Sequence, residues 1–456
     1  MPVEVTEHAL RDAVAVVGEW DEDGAESARA ALEWIGWEGE GPLLLRRYDV
    51  QLFVWYTLPR KCLTTLEHKR EAANTLARML ERIGGRAASY AHTCRGRETD
   101  ELLCAWENGD PGAWRRFREL LENSGVEPPD TELLAWGRVM GFVEACARDQ
   151  VATALEQAME AGRLSPGTRG FRRRQAEIAD GALREPLDGG DGGSLLEAVH
   201  AERLEHWLER GMTRGSAERR SILQPIAELL ADPPSAIDPD AARAALAPAL
   251  WLLELGADGI ALTQTGALNR AVVRDAAERW RGWWNAEIHG SPHRETDVSL
   301  LHELHHQLRR LRLLRRTGRR LVTTGRGREL LADPSRLLLT VANDLLAGDD
   351  FRAACAELAV PLLLAGFQAD WAEPLARGVR PAIVAEGWQS DGEPPGVRAV
   401  SWAIADFIRP ATASGLIETQ ADFPFHREPL VLTQPGRPAL IAALRDRALA
   451  PRTGPY

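Results

Sequence analysis

Leu321-Val322-Thr323-Thr324-Gly325-Arg326-Gly327-Arg328 returns later in the chain as Leu430-Val431-Leu432-Thr433-Gln434-Pro435-Gly436-Arg437. Both copies read L-V-x-T-x-x-G-R. Each follows a helical run that ends in a short apolar strand, and each leads into a new helical run. That is how the hairpin and exit of a winged helix look in sequence, so the pattern predicts two such modules in tandem.

Around the first copy the residues set out an order of elements. Ala242 to Leu255 is an apolar helix ending at Gly256, Gly259 to Thr263 a short β-like segment, and Ala267 to Trp284 a second helix. After a polar loop from Ile288 to Thr296, Asp297 is expected to cap a third helix running to about Leu313. Leu313 to Arg316, the Thr317-Gly318 turn and Arg319 to Thr323 then make a hairpin. In such folds the third helix usually enters the major groove and the wing touches backbone.

The second copy predicts helices over Phe351–Leu364, Trp371–Ala385 and Val397–Ala413. Strands over Leu416–Glu418 and Leu430–Leu432 would form its hairpin, with Pro438 to Leu449 closing the module. Glu418, Asp422 and Glu428 sit in or near that wing, where DNA contact calls for arginine. This copy reads as a packing or dimerising unit.

Charge separates the two. The 456-residue chain carries a net charge of −12, which argues against a protein that coats nucleic acid without selectivity. Between Leu301 and Arg328, however, lie Arg309, Arg310, Arg312, Arg315, Arg316, Arg319, Arg320, Arg326 and Arg328, against one acid, Glu303. At about 100° per residue, Leu300, Leu301, Leu304, Leu308 and Leu311 share one face of the third helix. His302, His306 and Arg309 share the opposite face, flanked by Arg310. An arginine-rich solvent face backed by a basic hairpin suits both phosphate contact and base-edge reading. His302, Arg309, Arg310, Arg312, Arg316, Arg319, Arg320 and Arg326 are therefore the candidate DNA-binding residues.

A competing signal occupies the same helix. His302-Glu303-Leu304-His305-His306 matches H-E-x-x-H, in which two histidines bind zinc and the glutamate activates water. Glu329 is the candidate third ligand. Three features oppose a protease. The leucine face leaves the histidines outside, the intervening arginines repel a dication, and the second copy lacks the histidine pair. No metal or other cofactor is expected, and the chain reads as non-enzymatic. No nucleophile elbow, Walker A loop or strand-borne G-x-G-x-x-G is present, and Gly325-Arg326-Gly327-Arg328 suits a turn.

The N-terminal part reads as helical, with runs over Leu63–Ile83, Trp114–Leu121, Glu132–Ala161 and Phe171–Leu183. Thr64 or Thr65 can cap the first and Gly84-Gly85 stops it. The aromatic stretch Leu43 to Leu58 reads as core. Two more helical runs, Ser194–Arg210 and Ala217–Leu230, follow the Pro186–Gly193 loop. The expected organisation is a helical domain over residues 1–185, a linker with connecting helices over 186–240, and modules over 241–347 and 348–456. The main boundary is set at the proline-rich break from Asp232 to Asp240.

Five scattered cysteines (Cys62, Cys94, Cys104, Cys146, Cys355) without C-x-x-C tell against a disulfide framework and fit a reduced cytoplasm. No run approaches the roughly 18 apolar residues of a membrane span, and the acidic start Met1-Pro2-Val3-Glu4-Val5-Thr6-Glu7 shows no secretory signal.

Arg47-Tyr48-Asp49, Trp55-Tyr56-x-Leu58-Pro59, Leu262-Thr263-x-Thr265-Gly266 and the stretch Asp297 to Asp333 resemble, over most of the chain, large uncharacterised proteins of actinobacteria. That resemblance implies a helical N-terminal region joined to a winged-helix-like C-terminal half, and it brings no activity with it. H-E-x-x-H is not a fixed feature of that group. The sequence thus predicts a mainly α, cytoplasmic DNA-binding or regulatory protein acting on duplex DNA. The alternatives are an interaction scaffold whose modules pack, dimerise or bind another protein, and a zinc metalloprotease.

Overall fold

Apolar residues at helical spacing dominate the chain, and in the computed structural model they form a mainly α protein. Helix accounts for 66% and strand for 6%, in sheets of only two or three short strands. The structure describes residues 3–18, 22–187, 193–209, 217–232, 235–284, 286–390, 392–419 and 429–453. It divides into two compact units, one comprising Met1–Val199 with Pro451–Thr453 and the other His200–Ala450 with Gly454–Tyr456. The division falls before the proline-rich break that the sequence suggests, because Leu204, Trp207, Leu208, Ile222 and Leu223 belong to the C-terminal core. Most of the Pro186–Gly193 loop lies outside the described residues.

In the N-terminal unit the helix Leu66–Ile83 starts where Thr65 accepts the His68 amide, and it stops at Gly84 with φ 81°. Ala73, Leu76, Ala77 and Leu80 are buried along it. The aromatic stretch is core, as expected: Tyr48, Phe53 and Trp55 are buried, and the Trp55 indole donates to Thr99 Oγ1 at 3.0 Å. The helix expected from Glu132 begins only at Phe142. Local side chains hold the preceding residues out of it: Thr131 Oγ1 accepts the Leu133 and Leu134 amides, Asp130 the Trp136 amide, and Glu144 the Gly137 amide. The run Ala217–Leu230, in the other unit, is likewise interrupted, with a 3-10 turn at Gln224–Ile226 carrying Pro225.

In the C-terminal unit α1 (Ala247–Asp258) precedes β1 (Ile260–Ala261), α2 (Arg270–Arg279), α3 (Ser299–Arg310), β2 (Leu314–Thr317), β3 (Arg320–Thr323) and α4 (Gly325–Ala332). The strands pair antiparallel in the order β1-β3-β2, with Ile260 opposite Leu321 and Leu314 opposite Thr323. Several predicted ends move. The first helical run is split before Pro248 and reaches Asp258, ending at Gly259 with φ 84°. Gly256 lies within it, where a Cβ would stand 2.4 Å from Thr323 Oγ1, so this glycine lets the hairpin sit on α1. The second helix is shorter, capped by Asn269. Asp297 does not cap α3: its carboxylate accepts the His293 and Arg294 amides in the preceding turn.

After α5 (Pro334–Leu346) come α6 (Phe351–Leu364), α7 (Ala372–Ala385), α8 (Val397–Ala413), β4 (Ile417–Thr419), β5 (Leu430–Leu432) and α9 (Gly436–Ala448). The bounds of α6, α8 and β5 are those the sequence predicts. Glu418 is exposed on β4, while Asp422 and Glu428 lie outside the described residues.

The repeated motif has one physical meaning in both copies. Each third helix closes in a Schellman motif. Leu313 N donates to Leu308 O and Arg312 N to Arg309 O; in the second copy Leu416 N donates to Ala411 O and Gly415 N to Thr412 O. The motif threonine then ties the far strand to that turn. Thr324 Oγ1 donates to Arg312 O at 2.8 Å and accepts the Gly327 amide at 3.0 Å. Thr433 Oγ1 donates to Gly415 O at 2.7 Å and accepts the Gly436 amide at 2.9 Å. The motif glycine is required by space: a Cβ at Gly327 would lie 2.5 Å from Leu313 O, and one at Gly436 2.2 Å from Leu416 O.

One hydrophobic core runs through both copies, from Leu252 and Leu304 to Ile404 and Leu440. A buried ion network crosses it. Arg219, 1% exposed, pairs with Glu357 and with Glu386 at 2.7 Å, and its Nε donates to Trp207 O at 2.9 Å. Arg447 also pairs with Glu357 and donates to Gly348 O at 2.7 Å.

Candidate functional site

Helix α3 buries Leu301, Leu304 and Leu308 in the core shared by both copies, with Leu300 half-buried, and packs along α8. Gln307 is buried there and accepts from Ser414 Oγ at 2.5 Å. What remains to solvent is one stripe: Ser299, His302, Glu303, His306, Arg309 and Arg310, the spacing of a single helical face.

The arginines beyond it are exposed without exception, from Arg312 through Arg315, Arg316, Arg319 and Arg320 to Arg326 and Arg328. Arg310 forms an ion pair with Asp344 at 2.5 Å. Among the described residues the other arginines of this island form no ion pair. They do not share one plane. Register places Arg315 and Arg320 on one face of the hairpin and Arg316 on the other, where its guanidinium lies near Gly266 and donates to Gly318 O.

Arg312 has φ 58°, the one non-glycine positive φ among the described residues. An L side chain costs roughly 1–2 kcal/mol in that conformation, and the second copy has Gly415 at the equivalent turn. Arg312→Gly is therefore expected to raise the unfolding free energy by about 0.5–1 kcal/mol. Urea unfolding checks this, and an unchanged or lower midpoint would show that no strain is relieved.

The histidines of α3 meet a residue that the sequence reading missed. Glu295, 2% exposed in a 3-10 turn ahead of α3, accepts the Leu268 amide at 2.6 Å. Its other oxygen lies 2.8 Å from His305 Nδ1 and 3.2 Å from His302 Nδ1. Burial opposes ionisation of this carboxyl, but the hydrogen bonds from His305 and the Leu268 amide outweigh it and hold its pKa below the usual range. Partial desolvation, and then the neighbouring His302 and His305, push His306 down. The rings of His302 and His306 stand 4.4 Å apart between centroids.

Glu295, His302 and His306 bring ligand atoms within 4.8 Å of one another. Glu329, the third ligand expected from sequence, is exposed on α4 and is not among them. Glu303, the would-be base, is half-buried on α3. His305 is buried, and its position next to Leu301 and Leu308 in the helical wheel is the signal that could have singled it out. Glu295 has no such signal, because an irregular turn separates it from the helix.

A sequence model of the family described as the Y4jL N-terminal domain matches residues 246–336. The matched stretch runs from the residue before α1 into α5, and so covers the first module. It is about a fifth of the chain. No curated protein and no solved structure matches.

Proposed function

We propose that the C-terminal unit is a non-enzymatic, DNA-binding regulatory element. Its first module acts as a winged helix, presenting the α3 stripe and the β2–β3 hairpin to duplex DNA. The observation that carries this reading is the island of exposed arginines, all but one without an ion-pair partner among the described residues, in a protein of net charge −12. Cations left uncompensated on a helix end and an adjoining hairpin are what phosphate contact needs. Arg312, held in a strained conformation with its side chain at the surface, adds to it. The element order and the β1-β3-β2 pairing fit a winged helix. Five unpaired cysteines suit a reducing cytoplasm, and no described helix is long and apolar enough to cross a membrane.

A second reading has its own support. Helix α3 packs along α8 and one core spans both copies, which suits a scaffold that holds another protein. Mobility shift of duplex DNA at two salt concentrations separates the two. On the DNA reading, affinity falls on the order of a thousandfold between about 50 and 200 mM salt if about six phosphates are neutralised. Replacing Arg315, Arg319 and Arg320 by alanine lowers affinity across sequences and shallows the salt slope by about 1 per lost contact. Absence of binding at low salt, or binding indifferent to these replacements, gives the site to a protein partner.

A further inference from the structure

We infer that Glu295, His302 and His306 form a site for a first-row divalent transition metal, zinc being the best match, which clips the turn before α3 to the solvent face of that helix. Two imidazoles one helical turn apart with one carboxylate make an N2O donor set with room for a fourth ligand, and zinc accepts such sets at about 2.0–2.2 Å. Bond lengths of that size put ligand atoms roughly 3.4 Å apart in a tetrahedron. The atoms here already lie within 4.8 Å of one another. His306 is exposed and can rotate to close the remaining gap, while Glu295 is fixed.

The fixing of Glu295 is the second, independent observation. Its carboxylate is held from one side by the Leu268 amide and from the other by His305 Nδ1. His305 is 1% exposed, and its Nε2 is buried without a hydrogen-bond partner. The polar return for burying this imidazole is therefore the orientation of Glu295, the role a supporting hydrogen bond plays around a metal ligand. Ligation by His302 would replace its present hydrogen bond to the same carboxylate. Local charge does not forbid the ion: Glu295 and Glu303 offset Arg309, and Arg310 is committed to Asp344.

The third ligand stands upstream of the histidines, in a turn, and the metal's role here is to staple that turn to α3. The site does not depend on the DNA-binding reading, and its test uses no DNA.

The full chain, without a histidine tag and stripped with chelator, is titrated with zinc sulfate by calorimetry and with cobalt(II) by visible absorption. One ion per chain is expected, with the cobalt spectrum of a low-coordinate site and a zinc-dependent rise in melting temperature. Glu295→Gln, His302→Ala and His306→Ala should each weaken binding at least tenfold, and Glu329→Gln should leave it unchanged. His305→Phe should weaken it roughly 10–100-fold, as losses of supporting partners do. His306 is exposed, so its replacement leaves the fold intact, which circular dichroism verifies. Sub-stoichiometric zinc in the unsubstituted chain, or undiminished binding by His306→Ala, overturns the proposal. Peptidase activity lost on Glu303→Gln would replace the clip with a catalytic site.

Discussion

Gly436→Ala is expected to destabilise the C-terminal unit by about 3 kcal/mol or more, at or above the upper end of overpacking costs. The added Cβ would fall 2.2 Å from Leu416 O and 2.6 Å from Thr433 Oγ1. Neither atom is free to retreat. Leu416 O accepts the Thr433 amide, and Thr433 Oγ1 is engaged with both Gly415 O and the Gly436 amide. Gly327→Ala should behave similarly, since Leu313 O lies 2.5 Å from its Cβ position. The control is Gly325→Ala, two residues away and with open space around it. There the better helix former should be neutral or gain a few tenths of a kcal/mol. Urea unfolding followed by circular dichroism reads all three. Equal midpoints for Gly436→Ala and Gly325→Ala would mean that the close approach does not constrain the chain.

Glu357→Ala should cost about 3 kcal/mol, because it takes the shared carboxylate from Arg219, buried in the core of the same unit, and from half-buried Arg447. Arg219 would keep Glu386 and the Trp207 carbonyl, and Arg447 would keep the Leu346 and Gly348 carbonyls and a longer, exposed pairing with Asp349 at 3.7 Å. Neither would retain the carboxylate at the centre. The double replacement Arg219→Met with Glu357→Met should cost less than the sum of the two singles, since it removes the buried charge together with its partner. A double-mutant cycle by denaturant unfolding measures the difference. Strict additivity would show that Arg219 and Glu357 are not coupled.

How far the sequence reveals this structure depends on whether a feature is set locally. The Schellman turns, the T-x-x-G exits and the bounds of α8 are written in residues close together, and their repetition made them legible. The missed boundaries lie where side chains override helical spacing. Asp130, Thr131 and Glu144 take the amides between Leu133 and Gly137 out of the helix, and Pro248 starts a new helix where apolar spacing alone ran straight through. At the candidate site, α3 and its two faces followed from periodicity. Glu295 did not, because a 3-10 turn of variable direction decides whether its carboxylate reaches the helix. The sequence offered Glu329 instead, on spacing alone, and spacing carries no information about which side of a hairpin a downstream residue will occupy.

The threonine tie at the base of each hairpin also determines where the chain tolerates change. It anchors the far strand to the end of the third helix, so register is set at the base of the hairpin and not at its tip. The two copies already differ there: Gly318 and Arg319 connect one pair of strands, and residues 420–429 the other. Loop closure grows costly only slowly with length. The hairpin tip is thus a grafting position, where a reporter peptide or a longer loop can be spliced between Gly318 and Arg319 while the helices beneath keep their places.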